Sequence, residues 1–335
     1  MKQAWPSAWK ELKTGGPPGE VQLPGALEFT SNTVLVALGM FGLHILFHKV
    51  LSATSSQYNR IPQLLKEAEQ RKQRQNSESN DNSVKNGDGR DKTATTPDYE
   101  LPLMGVTAHV LTCQDLVVLP VAVAICVYYL RCVLSLSEGL QNRFFGYSQD
   151  FIYGAYLHAA FSIYEMIIYC IVGKKYVFYL HHVLVFLLYG SGVVMGTLYF
   201  YLAWAGLVEV TNVFLSSLSI LGRMDLKSNP LYLSAGVGLY VSYVLSRLIS
   251  LPAALGCLFY DAFTGPAPVV NQIRGFVVFG TAVCLVIISM SAFWFLKIHA
   301  GLMKHLYGEG GKEAGSEMDR LSHQNEHSNG HLKSQ

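Results

Sequence analysis

Residues 176–189 read YVFYLHHVLVFLLY, an apolar run interrupted only by the adjacent His181 and His182. A spanning helix needs about 20 mostly apolar residues, and this run continues without a charge through residue 204. It therefore reads as a membrane helix. Ionisable side chains are costly in hydrocarbon, so two of them inside a span are a functional hypothesis by default. Imidazole titrates nearest neutrality, which suits proton transfer or nucleophilic work.

The rest of the chain agrees with a membrane reading. Half of the 335 residues are apolar, mean hydropathy is +0.27, and 14% are charged. A soluble domain carries about 25% charge. The expected fold is all-α and polytopic, with about seven transmembrane helices. The candidate spans are 31–51, 111–134, 150–172, 176–202, 205–222, 231–258 and 275–299. Gly190, Gly192 and Gly196 are expected to kink or break the fourth, and Pro120 and Pro252 to kink the second and sixth. The expected organisation is a polar N-terminal segment over 1–30 and a first transmembrane helix over 31–53. A polar, partly disordered linker follows over 54–104, then a helical membrane domain over 105–305 and a disordered tail over 306–335.

Several classes are disfavoured. A net charge of +2 gives no reason to expect nucleic acid. The six cysteines lie in or beside apolar runs without CxxC spacing and read as core or lipid-facing residues. Adjacent histidines on a helix do not have the i, i+4 spacing of a helical metal site, and no metal is expected. No phosphate-binding loop and no G-x-S-x-G occurs. Residues 1–25 lack the apolar core of a signal peptide, so the first hydrophobic segment is expected to direct insertion itself.

Lys and Arg asymmetry sets orientation. With the N-terminus lumenal, eighteen lie on the cytosolic side and six on the lumenal side, with Arg247 inside a span. The expectation is a lumenal N-terminus and a cytosolic C-terminus.

Polar residues recur at helical spacing. His158, Ser162, Glu165 and Tyr169 share one face of the third span. Glu209, Asn212, Ser216 and Ser219 do so in the fifth, and Tyr240, Tyr243, Arg247 and Ser250 in the sixth. His182 and Tyr189 are seven apart in the fourth. Successive helices with one polar face each suit a bundle around a polar cavity. Glu165 and the histidine pair are each six or seven residues from the same end, about 10 Å deep at 1.5 Å per residue. Glu165 or Glu209 is the candidate carboxylate partner of His181 and His182. His158, Asn212, Tyr243 and Arg247 are candidate cavity residues, with Glu209 the intramembrane partner expected for Arg247. Structural polar contact between helices remains the alternative for each.

The order YLHHVLVF, LVEVTNVFLSSLSIL, SYVLSRLISLP and FWFLKIH, over about residues 105–305, resembles the TLC domain family. That family includes ceramide synthases, translocating-chain-associated membrane proteins and TLC domain-containing proteins. The resemblance implies a six-helix barrel around a lipid tunnel, usually in the endoplasmic reticulum. In the synthases paired histidines are essential to acyl transfer from acyl-CoA to a sphingoid amine, and His181 and His182 match that pair. The acidic stretch HDxSDxxLE falls on VEVTNVFLS, with Glu209 in place of its first Asp and Asn212 in place of its second. The double-Asp motif is not retained, which moves the expectation toward the TLC domain-containing branch.

Two functions follow from these readings. One is a lipid-handling acyltransferase, with acyl-CoA as co-substrate and no bound cofactor, in which a carboxylate-activated imidazole acts as nucleophile or base. The other is a non-catalytic lipid sensor, carrier or homeostasis factor using the same cavity. A translocation or trafficking helper is a further alternative. Membrane lipids are the expected partners in every case.

Overall fold

The computed structural model describes residues 23–64, several positions between 66 and 74, and residues 100–173 and 176–307. The expected disorder of 75–97 and of the C-terminal tail lies outside the described residues. Every described element is helical. In order they are α1 (Ala26–Thr54), α2 (Glu100–Leu136), α3 (Leu140–Phe145), α4 (Gln149–Val172) and α5 (Tyr176–Met195). Then come α6 (Tyr199–Gly206), a 3-10 turn (Leu207–Glu209), α7 (Val210–Arg223), α8 (Pro230–Tyr243), a π-helical segment (Val244–Ser250), α9 (Leu251–Thr264) and α10 (Ala267–Tyr307).

Among the described residues, seven stretches are long and apolar enough to cross a bilayer: 26–54, 107–136, 140–172, 176–195, 199–223, 230–264 and 273–303. The chain is an integral multi-pass membrane protein. Helices are the natural solution because each backbone N–H and C=O is satisfied within its own segment. Large apolar side chains such as Leu35, Leu38 and Ile45 are exposed on α1. In hydrocarbon they meet a solvent as apolar as themselves.

The chain divides into two compact units, residues 1–233 and 234–335. In the first, α2 packs against α1, α4, α6 and α7, and α4 packs against α1 and α5. Helix α4 has clear local determinants. Ser148 caps its start by accepting from the Phe151 N–H at 3.3 Å, and Gly173 ends it at φ 67°. These ends set the heights of His158 and Glu165 within the span.

The fourth span is shorter than 176–202. It stops at Met195, and Gly196 and Leu198 turn the chain at positive φ before α6 begins. Glycine adopts that conformation without the Cβ clash of other residues. Leu198, which does bear a Cβ, is held by its N–H donating to the Phe144 carbonyl at 2.8 Å. Tyr199–Ala203 therefore belong to the fifth span.

The linker is also not uniformly solvated. Residues 56–64 are helical, and Tyr58 and Ile61 are fully buried against Ala108 and Cys113 of α2. The Tyr58 hydroxyl lies 2.7 Å from His48 Nδ1 and 3.2 Å from Cys113 Sγ, while its ring stacks on His109. Burial, aided by the Cys113 contact, pushes the Tyr58 phenol above its usual range.

In the second unit, Tyr240, Tyr243, Phe295 and His299 form an aromatic cluster, and the Tyr243 hydroxyl donates to the Ser291 carbonyl at 2.9 Å. Pro252 is the second residue after the π-helical segment. A proline has no N–H and its ring crowds the carbonyl four residues earlier, a conflict that a locally wider turn relieves. At Pro120, α2 stays one continuous helix.

Candidate functional site

Two histidine–carboxylate pairs are buried in the first unit, at different heights. Both draw one member from α4: His158 and Glu165 are seven residues apart, two turns or about 10 Å along the axis.

The outer pair lies near the end of α4 at Val172 and the start of α5 at Tyr176. His182 Nε2 of α5 is 3.1 Å from Glu165 Oε2 of α4. Glu165 Oε1 accepts two further bonds, from Gln114 Nε2 of α2 at 2.6 Å and from the Tyr169 hydroxyl at 3.1 Å. Three donors from three helices thus converge on one carboxylate, and both Glu165 and His182 are buried. Such a carboxylate fixes the imidazole's orientation and the tautomer with hydrogen on Nε2, leaving the basic lone pair on Nδ1. Phe161 and Tyr169 pack around the ring. His181 is half-buried, its ring 5.0 Å from that of His182. Neighbours on a helix diverge by about 100°, so only His182 faces Glu165.

The inner pair joins His158 to Glu209, not to the adjacent histidines. His158 Nε2 is 3.5 Å from Glu209 Oε1, and Glu209 Oε2 accepts from Asn212 Nδ2 at 2.5 Å. The other ring nitrogen of His158 lies 3.2 Å from the Tyr129 hydroxyl. Tyr129 is fully buried and clasped by two glycines. A Cβ at Gly154 would sit 2.6 Å from its ring, and one at Gly206 would collide with the opposite edge. Close approach, not a turn, explains glycine at both helical positions.

Tyr243 and Arg247, the other candidate cavity residues, lie in the second unit. The Arg247 guanidinium is 5.4 Å from the Tyr243 ring centroid, and both residues are buried. Arg247 occupies the π-helical segment, a distortion found often at functional sites.

Three contributors escaped the sequence reading: Gln114, Asp115 and Arg223. Asp115 accepts from Arg223 and, at 3.0 Å, from the Ser216 hydroxyl. Arg223 also donates to Thr112 Oγ1 and the Leu111 carbonyl. Arg223 counts among the charges beyond the membrane when position alone is considered, but it turns inward and is largely covered. The available signal was TCQD at 112–115, two strongly polar residues inside an apolar run. Among the described residues no cluster of three His, Cys, Asp or Glu side chains has the geometry to hold a metal.

No curated protein and no solved structure matches the chain. The family model described as the TLC domain matches residues 109–300, more than half of the chain and every residue of both histidine–carboxylate pairs, and the protein belongs to the TLC domain family.

Proposed function

We propose that this protein acts in membrane lipid metabolism or homeostasis as an acyl-CoA-dependent acyltransferase, with His182 as its base and Glu165 as the group that orients it. The observation that carries this reading is the 3.1 Å contact from His182 Nε2 to a carboxylate held by two other donors. An imidazole fixed in this way takes a proton at Nδ1, and the adjacent carboxylate stabilises the imidazolium formed. The proton comes from the hydroxyl or amine of a lipid acceptor as it attacks the thioester carbonyl of acyl-CoA. The acyl–sulfur bond breaks and coenzyme A leaves as the thiolate, which takes up a proton. His181, half-buried beside the pair, is placed to contact the bound thioester. Under the orientation expected from the Lys and Arg distribution, the outer pair opens toward the cytosol, where acyl-CoA resides, and an endoplasmic reticulum location suits that supply.

A non-catalytic lipid sensor or carrier is the second reading, favoured by Asn212 standing where the related acidic stretch has its second Asp. The two are separated by lipid profiles of cells lacking the protein, rescued at matched expression with wild type, H182A, H181A or E165Q. Restoration of one acylated lipid class by wild type and not by H182A or E165Q is the expected result. Equal rescue by H182A sinks the catalytic reading and leaves the carrier.

A further inference from the structure

Gln114 Oε1 is buried and, among the described residues, accepts no hydrogen bond. The other end of the same amide, Nε2, donates to Glu165 at 2.6 Å. A carboxylate only accepts, so this contact settles which end of the amide faces Glu165. The end left over is a carbonyl oxygen, an acceptor without a donor, beside the His182–Glu165 pair. A buried acceptor without a partner is a cost that folded proteins seldom carry.

The side chains nearby are already committed. Arg223 donates to Asp115, Thr112 Oγ1 and the Leu111 carbonyl. The Ser216 hydroxyl donates to Asp115, and the Tyr169 hydroxyl to Glu165. Other buried orphans, such as Thr33 Oγ1, Thr197 Oγ1 and Ser291 Oγ, are hydroxyls whose hydrogen swings freely about the C–O bond. The Gln114 amide has no such freedom, because rotating it would break the bond to Glu165.

We infer that Gln114 Oε1 is a selectivity point that receives an O–H or N–H from the head of the bound lipid. This deepens the acyl-transfer reading and rests on it for the identity of the outer pair as the working site. A lipid ending in a hydroxyl or amine satisfies the orphan carbonyl. An ether, ester or carboxylate head brings a second acceptor against it and is rejected. Gln114 also steadies Glu165 through its other end, so it couples recognition of the acceptor to orientation of His182. It is a positioning and specificity residue and takes no proton.

The test is a binding comparison on the full-length protein in phosphatidylcholine nanodiscs. The probes are 1-hexadecanol, hexadecylamine and hexadecyl methyl ether, equal in chain length and differing in the donor. Wild type is expected to bind the alcohol and amine about tenfold more tightly than the ether, the factor that one net buried hydrogen bond supplies. Q114M, close in shape and unable to accept strongly, is expected to bring alcohol and ether within about twofold of each other. The ratio is the readout, because a purely structural role would weaken all probes alike. Equal affinities in wild type, no binding of any probe, or a preference unchanged in Q114M overturns the inference. The wild-type comparison stands even where Q114M fails to fold. H182A separates the two claims: it is expected to keep the donor preference while failing to restore the lipid profile. A donor preference together with normal rescue by H182A removes acyl transfer and leaves the selectivity point standing.

Discussion

The two histidine–carboxylate pairs share a helix and a chemistry yet differ in closure. The inner pair is sealed. His158 has Glu209 on one nitrogen and Tyr129 on the other, and Glu209 has Asn212 as a second partner. The outer pair is held just as firmly at Glu165, but its support, Gln114, ends in an unanswered acceptor. A fully satisfied buried polar network specifies a packing arrangement, while an incomplete one is costly unless something completes it. Under the proposed acyl transfer, the same two residue types serve cohesion at one height and chemistry at the other.

The sharpest break of this comparison is functional. H182A or E165Q is expected to lower acyl transfer by about 100-fold or more, the range over which a positioned general base acts. A double H158F/E209L variant is expected to retain at least a tenth of wild-type activity. Product formation in membranes at matched expression measures both, and comparable losses at the two heights would erase the distinction.

Stability should rank in the opposite order. E209L alone leaves His158 buried without its carboxylate and is expected to cost about 3–5 kcal/mol, while adding H158F recovers most of it. Chemical unfolding in detergent reads this directly. A smaller loss of about 1–3 kcal/mol is expected for G206A, which drives a methyl group into the Tyr129 ring that holds the inner pair. Smaller still is H44F. His44 Nδ1 lies 2.8 Å from the Tyr164 hydroxyl and ties α1 to α4, and losing that bond is expected to cost about 1 kcal/mol. Smallest is R131Q. The Arg131–Asp150 contact at 3.3 Å is exposed on the Arg side, and such pairs contribute less than about 1 kcal/mol. A thermal midpoint for R131Q as low as that of E209L would overturn the ordering.

Much of this was legible along the chain. The spans are long apolar runs, and hydrophobicity over about 20 residues survives any packing arrangement. The stripe from His158 to Tyr169 was visible as helical periodicity, and the similar depth of Glu165 and His182 followed from counting residues to the helix ends. Other features were not legible, for identifiable reasons. A fourth span running to residue 202 fits hydropathy as well as one ending at Met195, because Gly196, Thr197 and Leu198 are themselves uncharged. The inward turn of Arg223 was hidden because position along the chain places it at a helix end, and only the approach of α2 to α7 supplies Asp115 as its partner. Tyr58 and Ile61 are two apolar residues in a polar segment, too few for periodicity to reveal that they are buried.

By itself the sequence determined the helical membrane architecture, the number of spans and the residues with acid–base capacity, because those follow from local composition and a fixed helical repeat. Which histidine meets which carboxylate was decided only by tertiary structure. Glu165 and Glu209 are both within plausible reach of His181 and His182 when helices are considered one at a time. The packing of α4 against α2 and α5 gives Glu165 to His182 and leaves Glu209 to His158. Pairing between helices depends on their rotation and height relative to one another, and neither quantity is written in the periodicity of a single helix.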